Sequence, residues 1–133
     1  MKTVFADTDY FIAQFNSSDI SFEKAVAFTD TFVGRMVTTD WVIVELADAF
    51  ARPPNRERFV ALYQQLTTLA ALAIVPAERA LLLDGLALYA ERPDKEWSLT
   101  DCISFVVMKQ QGILEAATAD RHFEQAGFVA LLK

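Results

Sequence analysis

Thr3-Val4-Phe5-Ala6-Asp7 is the stretch whose reading decides the fold. Its short apolar run, followed by a lone carboxylate, predicts a buried strand over Lys2 to Ala6 that stops at Asp7. A second stretch, Ile113 through Asp120, reads the same way, with a strand to Thr118 and an acid at its exit. In a parallel α/β sheet, ligands bind in the crevice beyond the carboxyl ends of the strands, and both acids are expected on that edge. Glu45 and Asp101 fall early in apolar helix-like segments, Val42-Ile43-Val44-Glu45-Leu46-Ala47 and Thr100 to Val107, where helix starts converge on the same crevice. Four gathered carboxylates repel one another and take up protons unless a cation or hydrogen bonds compensate. An oxygen-only ligand set of this kind points to a divalent ion, with magnesium or manganese the natural choice.

The rest of the chain alternates strand and helix signals. Tyr10 to Phe15 is a short helix and Asn16 to Asp19 a loop. Ser21 is a candidate N-cap for a helix that stops at Gly34. Met36 to Thr38 is a strand, after which Thr39 or Asp40 caps a helix from Trp41 to about Arg52, ended by Pro53-Pro54. Asn55 to about Thr68 is a helix with Phe59, Leu62, Tyr63 and Leu66 as its buried stripe, and Ala71 to Val75 a strand. Pro76-Ala77-Glu78 reads as the start of a helix running through Ala80 to Ala90. Arg92 to Ser98 is loop, Leu99 or Thr100 to Gln111 a helix stopped by Gly112, and Phe128 to Leu132 a last strand. This alternation implies right-handed βαβ crossovers. The expected fold is a three-layer α/β/α sandwich with a mainly parallel sheet, in one domain over residues 1–133.

Composition bounds the function. The chain has 133 residues, 53% of them hydrophobic, which suits one continuous core. Its 11 phenylalanines slightly exceed the needs of so small a core, which favours apolar surface reserved for a partner, a homodimer being the simplest. A net charge of −6 argues against a DNA-binding regulator with a broad basic face. It weighs less against a metal nuclease, because bound cations invert the local field. Arg52, Arg56, Arg58 and Arg121 offer local positive charge, although Arg56 and Arg58 also read as a solvated helix face. The single Cys102 permits no internal disulfide and reads as a small core residue in a reducing, cytoplasmic setting. No apolar run approaches a membrane span.

Each acid has a local alternative. Asp7 could cap the following helix, and Asp9 could support the site or lie exposed in a turn. Glu45, flanked by apolar residues, must snorkel outward or be engaged. The helix dipole favours an acid at Asp101 by roughly 0.3–1 kcal/mol without any site. Thr118 offers a hydroxyl beside Asp120, and His122 reads as a surface or capping residue.

Taken in order, the flanks of these acids resemble a known family. The segments Val4-Phe5-Ala6-Asp7-Thr8-Asp9-Tyr10-Phe11-Ile12-Ala13, Thr39-Asp40-Trp41-Val42-Ile43-Val44-Glu45-Leu46-Ala47, Ser98-Leu99-Thr100-Asp101-Cys102-Ile103-Ser104-Phe105 and Ala117-Thr118-Ala119-Asp120-Arg121-His122-Phe123 are similar to those of PIN-domain ribonucleases of the VapC toxin type. The resemblance spans essentially the whole chain. It implies that Asp7, Glu45, Asp101 and Asp120 form the acidic quartet that holds magnesium or manganese, with Thr118 and Asp9 in support. It further implies hydrolysis of RNA, a cognate antitoxin as partner, and a cytoplasmic protein. Asp9 and Cys102 depart from residues more usual at their positions, and neither removes a ligand.

Two other readings remain. Asp7-Thr8-Asp9 also resembles the paired aspartates of haloacid-dehalogenase-type phosphatases, but no later Asp-Asp pair or matching lysine follows. A catalytically silent binding module with an acidic groove is the third.

Overall fold

In the computed structural model, which describes residues 1–133, Thr3–Ala6 forms the strand β1 at the centre of a five-stranded sheet. Val4, Phe5 and Ala6 are fully buried, as expected of a strand covered on both faces. Beside β1 lie β2 (Arg35–Thr39) and β4 (Glu115–Ala117); β3 (Leu72–Val75) lies outside β2, and β5 (Val129–Ala130) outside β4. Every neighbouring pair is parallel, with Phe5 opposite both Val37 and Ala116. The three-layer α/β/α fold read from the sequence is the one observed.

Parallel neighbours need crossovers, and the helices supply them. α1 (Thr8–Phe15) and α2 (Phe22–Thr31) connect β1 to β2, α3 (Asp40–Ala49) and α4 (Asn55–Leu66) connect β2 to β3, α5 (Arg79–Glu91) and α6 (Leu99–Gln111) lead to β4, and α7 (Arg121–Gln125) leads to β5. The connections step outward from β1 through β2 to β3, then return across to β4 and β5. Right-handed crossovers in opposite directions put their helices on opposite faces. The order reverses between β1 and β4, so the carboxyl ends of these two strands flank the crevice of the sheet.

Several boundaries differ from the sequence reading, each for a local reason. Ser21 was expected to cap α2, but its side chain makes no capping bond; its N–H instead donates to Asp19 Oδ1 at 2.8 Å, and the loop turns on Asp19. Pro76-Ala77-Glu78 lies outside α5 because the Ala77 N–H is held by Asp40 Oδ2 at 2.8 Å, which ties this loop to the start of α3. α3 ends at Ala49 and not near Arg52, since residues before a proline avoid helical backbone. Ile113 is not in β4: its N–H bonds to Met108 O at 2.8 Å and that of Gly112 to Lys109 O, closing α6 in a Schellman motif with Gly112 at φ 67°.

Two glycines mark close approaches. A Cβ on Gly34 would lie 2.3 Å from the Lys2 carbonyl, where β2 enters beside β1. One on Gly85 would lie 2.4 Å from Ile103 Cγ1, so α5 and α6 touch at a distance that no side chain at 85 permits. Of the phenylalanines only Phe15 is exposed, at 39%. Other large apolar residues are open to solvent, among them Val60 and Tyr63 on α4 and Leu83, Leu86 and Tyr89 on α5.

Candidate active site

At the switch point between β1 and β4, the chain turns out of the sheet at Asp7 and Thr118. The Asp7 N–H bonds to Ala117 O at 3.4 Å, extending the ladder by one rung, and the Thr118 hydroxyl donates to Asp7 Oδ2 at 2.9 Å. Asp7 occupies the N-cap position of α1, yet its side chain makes no capping bond. The capping explanation for Asp7 therefore fails. Its carboxylate, only 5% exposed, is turned into a cleft of about 350 Å³.

The same cleft is lined by Glu45, Asp101, Asp120 and Asp9, so all four predicted acids and the supporting aspartate reach one place. Glu45, in the middle of α3 and half-buried, turns inward and accepts the Thr8 hydroxyl at 2.6 Å. Asp101 is held by a capping box: its N–H donates to Ser98 Oγ at 3.0 Å while its Oδ2 accepts the Ser98 N–H at 3.2 Å. Asp120 caps the five-residue α7 by accepting the His122 N–H at 2.9 Å, and its own N–H donates to Thr118 Oγ1 at 3.1 Å. For Asp101 and Asp120 the structural and the site roles coexist, because a cap uses one oxygen and leaves the other free. Asp9 is not an exposed turn residue: its Oδ2 accepts the Ala119 N–H at 3.0 Å, and its Oδ1 is buried with no partner. That tether also takes Asp9 away from the free acid/base role of the phosphatase reading.

His122 is the residue that sequence reasoning missed. Expected at the surface or as a cap, it is half-buried, with Nδ1 3.1 Å from Asp101 Oδ2 and 3.4 Å from Asp120 Oδ1. Asp101, Asp120 and His122 bring one donor atom each within 4.8 Å of one another. The available signal was its spacing: two residues after Asp120, across the first turn of α7, the ring returns to the cleft. Arg121, considered as local positive charge, instead points to the rim, 3.5 Å from Glu96.

The electrostatics follow from burial. Asp7 is pushed well above the usual carboxylate range, first by desolvation and then by the charges of Asp9 and Asp101. Asp9 and Asp101 are raised as well, again chiefly by desolvation. No lysine or arginine lines the cleft. Buried carboxylates without a cationic side chain, one of them carrying an orphaned oxygen, fit a group whose compensating charge is a metal ion. With six carboxylates lining the cleft, Glu96 at its exposed edge, and one imidazole, the donor chemistry suits a hard divalent cation.

Comparisons with known proteins bear on the family and the fold. The family model described as PIN domain matches residues 4–129. Among solved structures, VapC20 of Mycobacterium tuberculosis, described as a sarcin-ricin loop cleaving toxin, superposes with a TM-score of 0.86 at 23% identity, covering 95% of this chain and 96% of that one. FitAcB of Neisseria gonorrhoeae matches with a TM-score of 0.66 at 22% identity over 96% of this chain and 94% of its own. FitAB bound to an IR36 DNA fragment matches with a TM-score of 0.66 at 18% identity, covering 96% and 92%. No curated protein matches the sequence.

Proposed function

We propose that this chain, which belongs to the PIN-domain family, is a magnesium- or manganese-dependent endoribonuclease acting as the toxin of a toxin-antitoxin pair. The observation that carries the reading is Asp7: a carboxylate buried at the strand switch point, oriented by Thr118 and surrounded by acids with no cationic side chain. The toxin assignment is supported by the described activity of the VapC20 structure and by the FitAB complex on DNA. A cognate antitoxin is the expected partner, RNA the substrate, and a homodimer the expected assembly, with the apolar residues of α4 and α5 available to it. The reading takes residues 1–133 as one PIN-like domain in the cytoplasm. No helix is long and apolar enough to cross a membrane.

Asp7 and Asp101 would be direct ligands of the ion, with Glu45 and Asp120 completing its surroundings. When bound, a divalent ion activates water and stabilises charge developing on a phosphodiester. The residues of the chain set the geometry around it. Thr118 fixes the rotamer of Asp7, Thr8 that of Glu45, and the capping box that of Asp101. One carboxylate of the group accepts the proton of the attacking water.

The test is cleavage of total RNA by the purified protein with magnesium, with a chelator, and by Asp7→Asn, with the cut ends mapped. Site-specific cuts lost with chelator and in the variant are the expected outcome. Unchanged cleavage in chelator removes the metal mechanism.

A further inference from the structure

A second cleft, of about 270 Å³, adjoins the acidic one, and Ile12 and Ala49 line both. The chemistry changes across that shared wall. On the far side stand Phe15, Phe50, Asn16, Asn55 and Arg58, and no carboxylate lines the cleft. Phe15 is the one exposed phenylalanine of the chain, its ring set edge-on to Phe50 at 6.4 Å and 87°. Phe15 thus leaves an aromatic face open beside the site, a surface on which a planar ligand can stack.

Resting on the nuclease reading, we infer that this cleft seats one nucleobase of the RNA, adjacent to the nucleotide whose phosphodiester lies at the acidic site. Phe15 supplies the stacking surface, Asn16 and Asn55 lie where carboxamides can bond a base edge, and the exposed Arg58 meets the backbone phosphate. Base stacking on an aromatic ring is a sequence-tolerant source of affinity, and a carboxamide or guanidinium adds discrimination. The Arg58 guanidinium makes only a long 3.5 Å contact to Asn55 Oδ1, so most of its donors are free for an anion. A protein of net charge −6 keeps few cations near its acidic cleft, and Arg58 stands on the side where RNA can leave without facing further acids. A peptide from a protein partner is the other occupant considered. The shared wall favours RNA, because a polymer held at the acidic cleft must pass over Ile12 or Ala49 to leave it on this side.

The experiment uses an RNA oligonucleotide spanning the strongest cut mapped in total RNA, and versions of it with an abasic nucleotide at each position flanking the cut. Phe15→Ala and Arg58→Ala are compared with wild type in kcat and KM, and Phe15→Trp serves as the variant that retains stacking. On the intact oligonucleotide Phe15→Ala is expected to raise KM about tenfold with kcat little changed, and Phe15→Trp to restore it. On one abasic oligonucleotide wild type and Phe15→Ala become equal, which identifies the position seated in the cleft. Arg58→Ala raises KM and flattens its salt dependence. Equal penalties for Phe15→Ala on the intact and all abasic oligonucleotides overturn the subsite. So do unaltered RNA kinetics accompanied by lost binding of a partner peptide, which assign the cleft to protein. If wild type cuts no RNA with metal, both this inference and the nuclease reading fall; if wild type cuts and the Phe15 variants match it, only the subsite does.

Discussion

Replacing Asp7 with asparagine should move stability and activity in opposite directions. The side chain is 5% exposed, and desolvation, Asp9 and Asp101 all oppose its charge. Asparagine keeps the volume and an oxygen that can accept the Thr118 hydroxyl at the observed 2.9 Å. What it removes is a buried group whose charged form desolvation and its neighbours oppose, and relieving that cost stabilises the metal-free fold. In chelator at pH 7.5 the variant is therefore expected to melt higher than wild type, by about 4 °C for each 1 kcal/mol in a domain of this size. With magnesium that advantage shrinks. An ion at a hundredfold its dissociation constant adds about 2.7 kcal/mol to a protein that binds it and little to one whose central ligand is gone. RNA cleavage should fall by about 10² to 10³, the scale of losing one preorganised electrostatic contact in a reacting site. Calorimetry with and without magnesium and an end-labelled RNA assay read all three quantities. A variant that melts below wild type in chelator would make Asp7 a structural residue and refute the reasoning.

Three further outcomes follow from other parts of the molecule. Asp7, Asp9 and Asp101 bind protons more readily folded than unfolded, so metal-free protein should lose stability as pH rises from the ordinary value of 3.8 through their raised values, and be most stable on the acid side. Asp94, lowered to about 2 by its bond to Arg92, has its stabilisation fully in place above 3.8 and adds no slope in that window; melting from pH 4.5 to 8 in chelator measures the slope, and a flat profile contradicts the burial argument. Thr118→Val deletes the hydroxyl that orients Asp7 and accepts from the Asp120 N–H, and metal affinity should drop about 10–100-fold, as followed by titrating cleavage with magnesium. Gly85→Ala drives a methyl to within 2.4 Å of Ile103 Cγ1, which is fully buried, and should cost about 1–3 kcal/mol in chemical denaturation; wild-type stability would mean that α5 shifts freely.

The sequence made the sheet and the acids readable because both depend on local pattern. The unbroken Val4-Phe5-Ala6 run, the strand-helix alternation and the acids at element ends follow from periodicity and from where an α/β crevice opens. What it hid depends on hydrogen bonds between distant segments. Asp40 reaching Ala77 removed a turn from the expected helix at Pro76, and Asp9 reaching Ala119 turned an ambiguous turn residue into part of the site. His122 escaped notice because an oxygen-rich site does not require an imidazole, and only the capped turn of α7 brings it to Asp101. Phe15 was not distinguished among the 11 phenylalanines, since composition cannot tell which aromatic ring is left uncovered.

The hydrogen bond between Thr118 and Asp7 joins residues 111 apart. A chain leaving the ribosome has Asp7, Glu45 and Asp101 in hand long before Thr118 and Asp120 arrive, and until β4 settles beside β1 the acids have no common cleft. A fragment ending before β4 lacks Thr118 and Asp120 and cannot assemble the cleft, however well its helices form. The cleft therefore exists only once β4 has docked beside β1, and whatever chemistry it performs is switched on by the closing of the sheet rather than by the presence of its acids.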